Sequence, residues 1–187
     1  MTLIHTALLS EAQPIIDALD LRQYDTRPYR IFRGSDVVLV TSGVGAENTR
    51  RALRSVLESL NVDVAVNVGI AGCSDAAIPI GSLFVESARE AHPFPDLLPS
   101  LPLISFDEPV RHLDSPESVL VDMEAAAFRE VVDPVLSEGE GVVIKVVSDH
   151  LSDAVLPKKQ IRRLMEENLR WIPLFIPSRS KLDGLIN

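Results

Sequence analysis

The chain has 187 residues, 46% apolar and 24% charged, a composition that supports a sizeable core and one domain spanning 1–187. Its 27 acidic residues against 18 Lys and Arg give a net charge of −9, which repels a polyanionic backbone and argues against nucleic acid as a partner. The lone Cys73 cannot close an intrachain disulfide, the start MTLIHTALLSEAQ has no basic leader pattern, and no run of about 18 apolar residues occurs, so the expectation is a cytoplasmic protein that does not span a membrane.

In chain order, the apolar run Leu3–Leu9 predicts a strand. A helix over Glu11–Leu19 follows, with Ser10 and Gln13 at capping-box spacing and Pro14 still in the first turn, where its missing N–H costs little. Tyr29–Phe32 and Val37–Thr41 read as strands, and the turn Ser42-Gly43-Val44-Gly45 leads into a helix over Ala46–Leu60. Val62–Val68 reads as a strand leaving through the turn Gly69-Ile70-Ala71-Gly72, whose backbone N–H groups can approach a ligand closely. Ser82–Ser87 is the next strand. From Glu90 to Pro116 the chain is proline-rich and lacks periodicity, which predicts a long irregular excursion broken by one short strand, Leu103–Ser105. A helix over Met123–Val132, an apolar strand over Val142–Val147 and a helix over Pro157–Asn168 complete the pattern, and the tail from Pro177 reads as loosely held. Short β-branched runs alternating with helical segments argue for α/β layers on a mostly parallel or mixed sheet.

Three acids stand where strands hand over to helices: Glu11, Glu124 and Asp149. In an open α/β sheet the ligand crevice lies beyond the carboxyl ends of the strands, so the three can converge there. Each also has a bland reading, since an acid in a first helical turn complements the macrodipole and Asp after a strand is a common cap. No dinucleotide fingerprint, phosphate loop, zinc helix or serine elbow is present. His5, His92, His112 and His150 are scattered without metal-ligand spacing, so neither a metal nor a cofactor is expected. His150 beside Asp149 can contact a ligand or act on the neighbouring acid, although a partly exposed loop residue is the simpler reading. Cys73 reads as a small buried apolar side chain.

Taken together, Ala7-Leu8-Leu9-Ser10-Glu11, Ser42-Gly43-Val44-Gly45, Asn67-Val68-Gly69-Ile70-Ala71-Gly72, Val121-Asp122-Met123-Glu124-Ala125-Ala126-Ala127 and Val147-Ser148-Asp149-His150 resemble the nucleoside phosphorylase and nucleosidase superfamily. The likeness is to its methylthioadenosine/S-adenosylhomocysteine nucleosidase and futalosine hydrolase branches, and it covers the chain to about residue 165. The resemblance implies a three-layer α/β/α fold with a central mixed sheet, a homodimer or larger oligomer, a small-molecule nucleoside as partner, and hydrolysis of the N-glycosidic bond of a purine-type nucleoside. It implies that Glu124 binds the ribose hydroxyls, Met123 packs on the sugar, Asp149 protonates the base and Glu11 orients or deprotonates the attacking water. Asp122, Ser148, Gly69, Ile70, Ala71 and Gly72 complete the implied binding surface. Asn67 stands where phosphorylases of the family carry a phosphate-binding arginine, which favours hydrolysis.

Departures from the family pattern are also legible. The chain lacks a segment around Glu90–Leu101 that helps build the base pocket, and Ile70 replaces a serine. Pro109 stands where the nucleosidases place a base-stacking phenylalanine, for which Phe106 would substitute. Two alternatives therefore stay open: a silent nucleoside-binding protein, and a phosphorylase that recruits Arg30, Arg33 or Arg162 from a neighbouring subunit.

Overall fold

A computed structural model describes residues 1–86, 98–137, 140–152 and 156–176. Its centre is four parallel strands: β1 (Thr2–Thr6), β4 (Val37–Thr41), β5 (Val64–Cys73) and β10 (Gly141–Asp149), ordered β4-β1-β5-β10. These strands are nearly continuous β-branched and apolar runs because both of their faces are covered. Antiparallel strands finish the edges. β2 (Arg22–Asp25) and β3 (Arg30–Arg33) extend the sheet beyond β4, and β6 (Leu83–Glu86) pairs with the far side of β10 and carries the short β7 (Ser100–Leu101). The pair β8 (Leu103–Ser105) and β9 (Leu120–Asp122) joins the end of β5, with Gly72 opposite Val121. The sheet is therefore mixed.

Helices cover both faces, as the three-layer expectation requires. On one face α1 (Leu9–Ala18) and α4 (Lys158–Glu166) bury Ile15, Ile16, Leu164 and Met165 against Ile144 and Val146, with Trp171 and the short α5 (Ile172–Phe175) behind them. On the other, α2 (Ala46–Leu57) and α3 (Ala125–Val132) bury Leu53, Val56, Phe128 and Val131 against Leu3, Val40 and Val143. Alternate residues of β10 thus serve opposite cores, as the two-residue strand period dictates. Among the described residues no helix is long and apolar enough to cross a membrane.

Several boundaries differ from the sequence reading. The first helix begins at Leu9 instead of Glu11, and the Ser10–Gln13 box is not formed. The cap runs from Leu8, whose N–H donates to Glu11 Oε2 at 2.8 Å, while Gln13 donates to Asp17. The Gly69–Gly72 stretch is no exit turn: β5 continues through it to Cys73, paired with β10. β2 escaped the sequence reading because all four of its residues are exposed and show no alternation, and β9 is only three residues long. Ser87, His92, most of the Glu90–Leu101 region and the tail from Pro177 fall outside the described residues.

Candidate active site

The parallel strands end at a cleft of about 210 Å³. Glu11, Glu124 and Asp149 all line it, so the three acids of the sequence reading do meet in space, with Ile70, Ala71, Gly72, Asp122, Met123 and Ser148 between them. Two expected residues stand elsewhere. Gly69 lies under Glu11 and does not line the cleft. Phe106 is half-buried, its N–H donates to the Asp122 carbonyl, and the cleft wall next to it is made by Glu108, Pro109 and Val110. Among the described residues no aromatic side chain lines the cleft.

Glu11 is buried, 3% exposed, and both of its carboxylate oxygens are held by backbone: Leu8 N–H donates to Oε2 and Ile70 N–H to Oε1 at 3.0 Å. Gly69 makes this possible, because a Cβ there would come within 2.7 Å of Glu11 Oε1. The glycine run is needed for this close approach and not for a turn. Burial pushes the Glu11 carboxyl up to about 7, against the opposing pull of those two N–H groups and of Lys145. The folded protein thus binds the proton more tightly than the unfolded chain, whose carboxyl keeps its ordinary value of 4.5. Stability from this group is full below 4.5, falls as the pH rises from there to about 7, and is level above. Glu11→Gln is expected to remove that slope in urea midpoints measured across the window; an unchanged slope would assign it to another group.

Glu124 sits at the N-cap of α3, 7% exposed, and accepts the Gly45 N–H at 2.8 Å. Gly45 has φ +99°, a left-handed conformation natural to glycine, which locates the donor. Burial raises the Glu124 pKa while Lys145 opposes it. Asp122 is the anchor beneath. Its Oδ1 accepts the Ser105 hydroxyl at 2.5 Å, and its Oδ2 accepts both the Ala125 N–H at 2.9 Å and Lys145 Nζ at 2.7 Å.

Lys145 was missed in the sequence reading, and it is central. Its side chain is 2% exposed in the middle of β10. Burial alone would lower its pKa, but Asp122, Glu124 and Glu11 together raise it, so the ammonium stays charged. The available signal was a single lysine inside the apolar run Val142-Val143-Ile144-Lys145-Val146-Val147: a charge in a strand covered on both faces requires a counter-charge.

His5 was likewise only one of four scattered histidines in the sequence. It is fully buried, with Nε2 2.8 Å from Ser42 Oγ and Nδ1 2.6 Å from Asn67 Nδ2. Ser42 donates to the Gly43 carbonyl, so His5 donates from Nε2 and accepts at Nδ1, and it is neutral. Burial and the nearby Lys145 bring its pKa down to about 3. Asn67 is therefore a partner of His5 in the sheet and does not line the cleft. His150 has a ring nitrogen 2.9 Å from the Ile78 carbonyl, His112 is exposed, and Cys73 is buried. Among the described residues no group of His, Cys, Asp and Glu is placed to hold a metal.

Asp149, the last residue of β10, accepts the Ser148 hydroxyl at 2.7 Å and the Ser152 N–H at 3.1 Å. The Ser148 hydroxyl is also 3.1 Å from the Ala71 carbonyl. Its one proton can serve either acceptor.

Comparison with known proteins agrees with this architecture. The family model of the Phosphorylase superfamily matches residues 3–92. The 5′-methylthioadenosine/S-adenosylhomocysteine nucleosidase of Colwellia psychrerythraea is 30% identical over 118 residues, which cover 62% of this chain and 45% of that protein, so the match spans less than half the length of this curated relative. The solved structure of the corresponding Helicobacter pylori nucleosidase, complexed with a substituted pyrrolidin-3-ol, superposes with a TM-score of 0.76 at 13% identity, covering 94% of this chain and 97% of that one. Futalosine hydrolase of the same organism gives 0.75 at 13% identity, covering 94% and 96%. The Streptococcus pneumoniae nucleosidase with a transition-state inhibitor gives 0.73 at 17% identity, covering 94% and 98%. Likeness in sequence to the phosphorylase superfamily thus covers residues 3–92, and likeness of fold to these nucleosidases covers nearly the whole chain.

Proposed function

We propose that the chain is a nucleosidase that hydrolyses the N-glycosidic bond of a purine-type nucleoside of the methylthioadenosine, S-adenosylhomocysteine or futalosine kind. The observation that carries this is the convergence of Glu11, Glu124 and Asp149 on one cleft, with Glu11 titrating near neutrality. Breaking the C1′–N bond sends its electron pair to the base, and Asp149 supplies a proton to the base nitrogen that would otherwise carry the charge. The sugar left behind is oxocarbenium-like, and the buried carboxylates around it stabilise that cation. Water then bonds to C1′ and gives its proton to Glu11, whose oxygens keep free lone pairs beyond the two backbone bonds. Glu124 accepts the 2′- and 3′-hydroxyls, and Met123 packs against the ring.

Incubation with a nucleoside panel, with and without phosphate, tests the reading. Free base and free sugar are expected without phosphate; strict phosphate dependence would overturn hydrolysis. A nucleoside that raises the melting temperature without being cleaved would mark a binding protein.

Glu124→Gln is expected to weaken nucleosides with free 2′- and 3′-hydroxyls by about 10- to 100-fold, the worth of a charge-assisted hydrogen bond. Dideoxy analogues, which have lost those donors already, are expected to change far less. Equal losses in calorimetric titrations would remove Glu124 from ribose recognition. We further read the protein as a cytoplasmic homodimer: the only cysteine is free and buried, and Val44, 46% exposed in the cleft wall, is an apolar side chain that a second copy would cover. A monomer mass in equilibrium sedimentation would contradict that assembly.

A further inference from the structure

Beside the cleft lies a second cavity of about 500 Å³, and the two share Leu8. The first turn of α1, including Ser10, forms one wall; Arg30 of β3 and Lys158, Lys159 and Arg162 of α4 form the rest, and among the described residues no acidic side chain lines it. In a chain of net charge −9 this gathering runs against the composition. Arg162 is tied to Asp17 at 2.8 Å, whereas the side chains of Arg30, Lys158 and Lys159 are exposed and make no ion pair or hydrogen bond among the described residues.

The placement of the lysines is also costly to the fold. Lys158 and Lys159 open α4, where the helix dipole is positive and acids are favoured, and the first turn holds no acid and no side-chain cap. A cation there weakens an isolated helix. A bound anion reverses the sign of the effect, since it meets the lysines and the unsatisfied N–H groups of the first turn together.

We infer that this cavity binds an anionic oxyacid group, a phosphate or carboxylate, carried by the substrate on its 5′ carbon. The inference rests on the nucleosidase reading, which places the base at Asp149 and the 2′,3′ edge at Glu124. The 5′ substituent is then the part of a nucleoside left to pass Leu8 into the neighbouring cavity. The same oxyacid chemistry has a second source, free inorganic phosphate acting as co-substrate, and the test separates the two.

Base release from adenosine 5′-monophosphate and from neutral 5′-methylthioadenosine is compared at low ionic strength, without and with inorganic phosphate. The wild-type chain is set against Arg30→Ala/Lys158→Ala/Lys159→Ala, and melting temperatures are recorded with each compound. The expected result is a kcat/KM about tenfold or more higher for the anionic nucleoside, falling to near parity in the triple variant and with added salt. The unliganded triple variant is expected to melt no lower than wild type, because the lysines it removes oppose the dipole. Equal or better cleavage of the neutral nucleoside by wild type, or equal losses for both substrates in the variant, would overturn the anion site and leave the nucleosidase reading standing. Base release only when phosphate is added would make the cavity a co-substrate site and overturn both readings. If neither compound is cleaved, a melting shift caused by adenosine 5′-monophosphate and abolished in the triple variant upholds the anion site alone. No such shift overturns it.

Discussion

Asp149→Asn is expected to slow base release by about 10²–10⁴-fold, the usual contribution of a positioned general acid, while leaving nucleoside binding and the fold nearly unchanged. The local bonds explain why the fold survives. The asparagine oxygen can still accept the Ser152 N–H, and its amide can donate to the Ser148 hydroxyl, which then gives its own proton to the Ala71 carbonyl. Only the deliverable proton is lost. Single-turnover rates with purine nucleosides, set against a nucleoside whose base departs without protonation, separate an acid from a packing residue. The purine rates are expected to fall much further. Full activity on purine substrates would remove Asp149 from the mechanism, and an unfolded variant would make it a structural residue.

Lys145→Met is expected to cost about 3–5 kcal/mol of stability, the usual penalty for leaving a buried carboxylate without its partner. The ammonium is 2.7 Å from Asp122 Oδ2 and opposes the crowding of Asp122, Glu124 and Glu11. Without it, Asp122 either stays charged in the interior or takes up a proton, and the pKa of Glu11 climbs further because the lysine is one of the influences holding it down. Denaturant unfolding of Lys145→Met, Asp122→Asn and the double variant would show the coupling: the double variant should be more stable than the sum of the single losses implies. A Lys145→Met protein within about 1 kcal/mol of wild type would show that the ion pair does not support the site.

These two residues also mark what could be read from the chain alone. Asp149, Glu124 and Glu11 were legible because each stands at a strand-to-helix junction, and periodicity locates such junctions in an α/β chain. The central strands were legible for the same reason: covered on both faces, Val37–Thr41 and the core of Gly141–Asp149 are continuous apolar runs. β2 was not, since a fully exposed edge strand carries no pattern. Nor was the role of the glycines, because Gly69 is required by Glu11, 58 positions earlier, and only the packing of α1 on β5 brings them together. Phe106 and Pro109 were assigned from linear order, yet the bond from Phe106 N–H to Asp122 belongs to the β8–β9 pairing, which leaves Pro109 at the cleft. The sequence by itself determined the layered α/β architecture and the three candidate acids, which depend on patterns within single elements. Tertiary structure alone decided the charge balance beneath them, His5 with Asn67 and Lys145 with Asp122, because the partners of a buried polar group are set by strand register across the sheet and leave no trace in local periodicity.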